Sequence, residues 1–253
     1  MRLAITLAAT TVLLSFGSLA VAQSADERAA ARGVVKKNGD AVVMVLATLK
    51  IRANVGGQEQ TIDQQAQANG TILDASGLAV LSLSTLQPDD MMARSLSNRV
   101  QAGTRVDVTS EPSGIRMHLS DGREIPAKLI LRDQDLDLAF IRPVDPPSPP
   151  IAFIDAPAAK VSLMDLLLIV QRTSETTGWL TTASFATVEL VIDKPRVYYQ
   201  VASGVRSALG SPIFDTAGKF VGVMLVRNTG ARASGAPAVL PADDIRDVAK
   251  QAK

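Results

Sequence analysis

Leu119-Ser-Asp-Gly-Arg-Glu-Ile-Pro-Ala-Lys-Leu-Ile-Leu-Arg-Asp-Gln-Asp-Leu-Asp137-Leu-Ala-Phe-Ile141 reads as a chain of short strands joined by turns. Just upstream, Ile115, Met117 and Leu119 alternate with Arg116, His118 and Ser120, the period-two pattern of a half-buried strand. That alternation puts His118 on the outward side with Arg116 and Ser120, where a solvated imidazole is expected. Asp121-Gly122 is a tight-turn signal, Ile125 to Leu131 follows as a second strand, and Leu138 to Ile141 as a third.

The pattern repeats outward in both directions. Ala41 to Ala47 is an apolar run, and Gly70–Leu73 and Leu78–Leu83 flank the turn Asp74-Ala75-Ser76-Gly77. Later candidates are Leu166–Val170, Val188–Ile192, Val197–Val201, Ile213-Phe214 and Phe220–Val226, with Asp215-Thr216-Ala217-Gly218 as another hairpin turn. Asp26 to Lys37 suits a helix, as does Asp243 to Lys253, where Ile245 and Val248 share a face. Pro143, Pro146, Pro147, Pro149 and Pro150 form a stiff connector that cannot donate to a sheet. Gln87 to Pro112 is polar and reads as an elaborated loop. Many short strands with frequent turns indicate an all-β fold.

The N-terminus has a separate logic. Arg2 precedes the apolar or small stretch Leu3–Leu19, and Ala20-Val21-Ala22 offers the small-x-small pattern of a cleavage site. A signal peptide over residues 1–22, cleaved after Ala22, is expected, and with it export to the periplasm or outside medium. Removing it takes one Arg from 26 basic residues and leaves 25 against 25 acidic ones. Such a balance gives no electrostatic reason for nucleic acid or an anionic membrane as partner. With no cysteine and one histidine, ordinary zinc sites are excluded and no cofactor is indicated.

Four of these segments, in order, resemble the trypsin-like serine peptidases, in particular the HtrA/DegP type. They are Val34–Val45, the glycine-led hairpin Gly70–Ser84, the stretch Leu119–Ile141 with Asp137, and Ser207-Ala-Leu-Gly-Ser-Pro-Ile-Phe-Asp-Thr-Ala-Gly-Lys-Phe-Val-Gly-Val223. The resemblance covers about residues 34 to 250, with no PDZ-like segment after them. It implies two six-stranded β-barrels and a short C-terminal helix. The expected division is an N-terminal segment at 23–33, a first barrel at 34–145, a linker at 146–150, a second barrel at 151–240 and a helix at 241–253.

The same resemblance locates the family's catalytic positions. The carboxylate position holds Asp137. The histidine position falls at Ser84 when the hairpin is aligned on Gly77, and the nucleophile position at Leu209 when the loop is aligned on Gly210 and Pro212. A hydroxyl is no base near neutral pH, and leucine has no nucleophilic atom. In another serine protease, loss of the serine or the histidine alone costs a factor of roughly 10⁶ in turnover. The oxyanion loop also departs from the family's glycines, with Ser207 and Ser211 around Gly210.

The expected function is therefore that of a non-catalytic, exported pseudoprotease that binds an extended peptide or an envelope protein. Two alternatives remain open at this level. One is an active hydrolase that uses Ser211, with His118 as the nearest substitute base. The other is an envelope structural or assembly protein that exposes apolar side chains on the 87–112 stretch, such as Met91-Met92, or around Trp179.

Overall fold

Several of the apolar runs are too continuous for strands with one wet face, and the computed structural model shows why. It describes residues 24–202, 208–227 and 235–252. The chain enters through helix α1 (Ala25–Asn38), held at its start by a reciprocal cap. Glu27 N–H donates to the Ser24 hydroxyl at 3.1 Å, and Ser24 N–H to the Glu27 carboxylate at 2.7 Å. A short turn of 3-10 helix, Gly39–Ala41, then leads into the first strand.

Six strands follow: β1 (Val42–Val55), β2 (Gln58–Ile72), β3 (Ala79–Ser82), β4 (Val106–His118), β5 (Glu124–Asp133) and β6 (Leu138–Pro143). They close into an antiparallel barrel in the order β1-β2-β3-β6-β5-β4. Helices α2 (Leu83–Leu86) and α3 (Asp89–Ser97) lie between β3 and β4. A second six-stranded barrel follows, with strands β7 (Leu166–Arg172), β8 (Thr181–Ile192), β9 (Tyr198–Val201), β10 (Pro212–Asp215), β11 (Phe220–Arg227) and β12 (Ala236–Pro241). Its order is β10-β11-β12-β9-β8-β7, and helix α4 (Ala242–Ala249) closes the fold.

Alternation then decides which core each residue joins. Val43, Val45, Leu81, Met117, Ala139 and Ile141 fill the first barrel. Their neighbours Val42, Val80, Leu138 and Phe140 point out of it, against Leu168, Val170, Phe214, Val223 and Leu225 of the second. Leu167, Ile169, Val188, Ile213 and Val239 fill the second barrel. Strands at this seam are buried on both faces, so they read as unbroken apolar runs. Burying each such side chain contributes about 1.5–3 kcal/mol.

Three sequence expectations need correction. The 87–112 stretch is no irregular loop: it holds α3 and the first half of β4, with Met92 packed on the first barrel and Met91 exposed. Gln58–Gln67, which no strand pattern marked, forms most of β2, paired with β1 from Val55↔Gln58 inward. Its side chains are exposed or half-buried because the hairpin extends past the barrel. His118 is buried, 8% exposed, since the outside of β4 is covered by the β7–β8 connection. There its ring stacks on Trp179 at 4.5 Å between centroids. β6 runs on to Pro143, β7 starts at Leu166 as expected, and the final helix ends at Ala249.

A cation unmarked in the sequence joins the barrels. Arg172, at the end of β7, is 5% exposed. Its Nε donates to Val42 O at 2.7 Å, one terminal nitrogen to Gly39 O at 3.1 Å and the other to Trp179 O at 2.9 Å. Its backbone N–H donates to the Asn69 side chain at 2.7 Å. Burial draws the guanidinium pKa down, with Asp40 opposing the shift. Lysine has the charge without the planar fork. Arg172→Lys is expected to strand buried carbonyls and to lower stability by about 1–3 kcal/mol. An unchanged urea midpoint would show that this side chain does not clamp the barrels.

Candidate functional site

Asp137 stands at the entrance to β6 with φ 58, a left-handed conformation in which Asp is among the better tolerated residues. The conformation turns its carboxyl inward while its carbonyl accepts the Leu83 N–H at 2.9 Å. Only 1% of the residue is exposed. Four donors converge on the carboxylate. Oδ1 accepts the Ser84 N–H at 2.7 Å and the Ser84 hydroxyl at 2.5 Å. Oδ2 accepts the Ser82 hydroxyl at 2.5 Å and the Val226 N–H at 2.7 Å.

The local fold explains the convergence. β3 ends at Ser82 and turns at once into the single-turn helix α2, so Ser82 and Ser84 flank the carboxyl. Val226 arrives from β11 in the other barrel. One side chain thus joins β3, α2, β6 and β11. The Ser84 contact follows from the sequence alignment. Ser82 and the Val226 amide were missed, although Leu81-Ser82-Leu83-Ser84 places both hydroxyls in one short stretch.

The loop carrying Leu209 meets the same region. Gly210 N–H donates to Met224 O at 2.7 Å, and Gly210 O accepts the Thr71 hydroxyl at 2.8 Å. Gly210 has φ 84, and a Cβ there would lie 1.9 Å from Asn69 O, so the loop is seated against the first barrel at a point only glycine allows. Met224 and Val226 are two residues apart on β11, so Asp137 and the 208–211 loop are held by neighbouring positions of one strand.

Side-chain directions matter most for chemistry. Leu209 is half-buried and packs against the core of the second barrel. Ser211 is fully buried, its N–H donates to Ala208 O at 2.9 Å, and its Oγ is enclosed without a hydrogen-bond partner. A nucleophile must reach a substrate carbonyl, and this oxygen is shut off from solvent. His118 lies on β4 opposite Met44, and the Asp137 carboxylate takes its bonds from Ser82, Ser84 and Val226 instead. Ser207 lies outside the described residues. Among the described residues, no group of three His, Asp or Glu is placed to hold a metal ion.

Burial raises the Asp137 pKa above the ordinary carboxyl value, against the lowering pull of the bonds from Ser82, Ser84 and Val226. Between the ordinary and the raised value the folded chain therefore holds more protons than the unfolded one. The contribution of Asp137 to stability is largest in acid, falls as pH rises through that window, and is constant above it. A carbon-13 titration of this carboxyl should give a midpoint above that of an exposed Asp. A midpoint at or below it would refute the balance between burial and hydrogen bonding.

With the geometry established, comparison with other proteins gives two findings and one negative. A family model described as a trypsin-like peptidase domain matches residues 104–223. A solved HtrA-type protease, AlgW in a serine-to-alanine form with a tripeptide, superposes with a TM-score of 0.56 at 17% identity. The alignment covers 87% of this chain and 62% of that one, so the present chain spans under two thirds of that protein. No curated protein sequence matches. The double-barrel fold is thus shared with that HtrA-type protease, and the likeness to the trypsin-like peptidase domain extends over residues 104–223.

Proposed function

We propose that this protein is an exported, non-catalytic relative of the trypsin-like peptidases that holds peptide or protein segments without cutting them. The observation that carries this reading is the Ser84–Asp137 contact. In the peptidase mechanism, an aspartate orients the histidine that takes the nucleophile's proton. Here the carboxylate's near partners are two serine hydroxyls and two backbone amides, none a base near neutral pH. Leu209 offers no attacking atom, and the enclosed Ser211 hydroxyl speaks against a shifted nucleophile.

Export rests on the residues before Gln23, which read as a cleavable signal sequence. Among the described residues, no helix is long and apolar enough to cross a membrane. For binding, β2 offers a concrete surface. It pairs with β1 along its length, yet meets β3 only at Thr71 and Ile72. An added strand could use the remaining edge through main-chain hydrogen bonds. Met91 and Leu180 are exposed as separate side chains, which is ordinary for a protein surface and does not favour the assembly reading.

Purified mature protein should show no covalent labelling by a fluorophosphonate probe and no cleavage of a denatured substrate. Labelling that Ser211→Ala abolishes would overturn the non-catalytic reading and establish the rearranged hydrolase.

A further inference from the structure

Beside the interbarrel core, α1 lies against β7 and β8 and leaves a groove of about 430 Å³. Its floor and inner wall are apolar: Leu168, Ala183 and Phe185 from the strands, Ala31 and Val35 from the helix. Its rim is basic throughout. Arg28, Arg32 and Lys36 line it at intervals of four residues, all exposed, and none belongs to an ion pair among the described residues. The nearest acid in sequence, Glu27, is bound to the Ser24 N–H.

This arrangement costs the helix stability. Like charges four apart on a helix repel. Helix-dipole compensation accounts for Lys36, which lies in the last turn, but not for Arg28 and Arg32. An acidic occupant would relieve the repulsion and cover the apolar floor.

We propose that this groove docks an extended peptide segment in which acidic residues alternate with apolar ones. Four residues of helix rise about 6.0 Å, and two residues of strand about 6.6–6.8 Å. Carboxylates on every second position of an extended peptide therefore meet successive cations on α1, while the residues between them point to Ala183 and Phe185. A helix, about 10–12 Å across, is too bulky for this volume. An anionic membrane is the poorer fit, because Val34 is buried in the interbarrel core and α1 has no large apolar side chain exposed for insertion. The site lies away from Asp137 and would operate whether or not the chain cleaves peptides.

The test uses the mature protein and two labelled pentapeptides, Glu-Val-Glu-Val-Glu and Lys-Val-Lys-Val-Lys, followed by fluorescence anisotropy. The acidic peptide should bind in preference, and its affinity should fall as salt rises. The triple reversal Arg28→Glu, Arg32→Glu, Lys36→Glu should weaken it by about tenfold, the sum of three exposed ion pairs, and should shift preference to the basic peptide. The corresponding triple Gln variant, checked by circular dichroism, gives the same loss should the reversal fail to fold. Equal binding of both peptides, unchanged affinity in the variants, or binding only to anionic lipid vesicles would each overturn the proposal.

Discussion

A buried carboxylate with four donors around it is the constraint on which the rest of this molecule depends. Asp137 sits where the two barrels meet, and its bonds reach β3, α2 and β11 from the start of β6. Removing an unpaired charge from water is costly, so a site of this kind persists only when nearly every lone pair is occupied. Both oxygens here accept one backbone N–H, and an amide in the same place could match only one of them. Ser82 and Ser84 complete the set. The second barrel contributes through Val226, so the placement of β11 and the ionic state of Asp137 are tied together.

A carboxylate that orients a histidine must leave a strong acceptor free for it. In this chain that capacity is used for holding the barrels in register. The loop after Ala208 follows the same pattern: Gly210 is bonded on both sides, Leu209 turns toward a core, and the Ser211 hydroxyl is enclosed. In this part of the chain, Asp137, Leu209 and Gly210 are engaged in contacts that serve packing. Arg172 adds a second joint, binding carbonyls of the lead-in to β1. The interbarrel seam thus contains an anion and a cation, each satisfied locally by hydrogen bonds.

The all-β character was legible in short apolar strands and in turns that carry glycine where the backbone needs it, as at Gly77, Gly122 and Gly218 with φ near 80, while the two barrels were expected from the family resemblance alone. The pairing of Asp137 with Ser84 was legible too, since alignment on Gly77 brought the hydroxyl to the place facing the carboxyl. Residues 58–67 were not, because their own side chains are exposed or half-buried and carry no apolar alternation to reveal the strand. His118 shows a further limit. Alternation correctly separated it from Met117, yet could not say that Trp179 from a distant segment covers the outward side. Ser82, Arg172 and the Val226 amide depend on the approach of the second barrel, which no local pattern encodes.

Hydrogen exchange at the Ser84 and Val226 amides tests the central role of Asp137 most directly. Comparison of the folded wild-type chain with Asp137→Ala should show both amides losing protection together, though they lie in different barrels and 142 positions apart (226 − 84). Should both remain as protected in the variant as in the wild type, the carboxylate would not be what holds these elements, and its structural role would be contradicted.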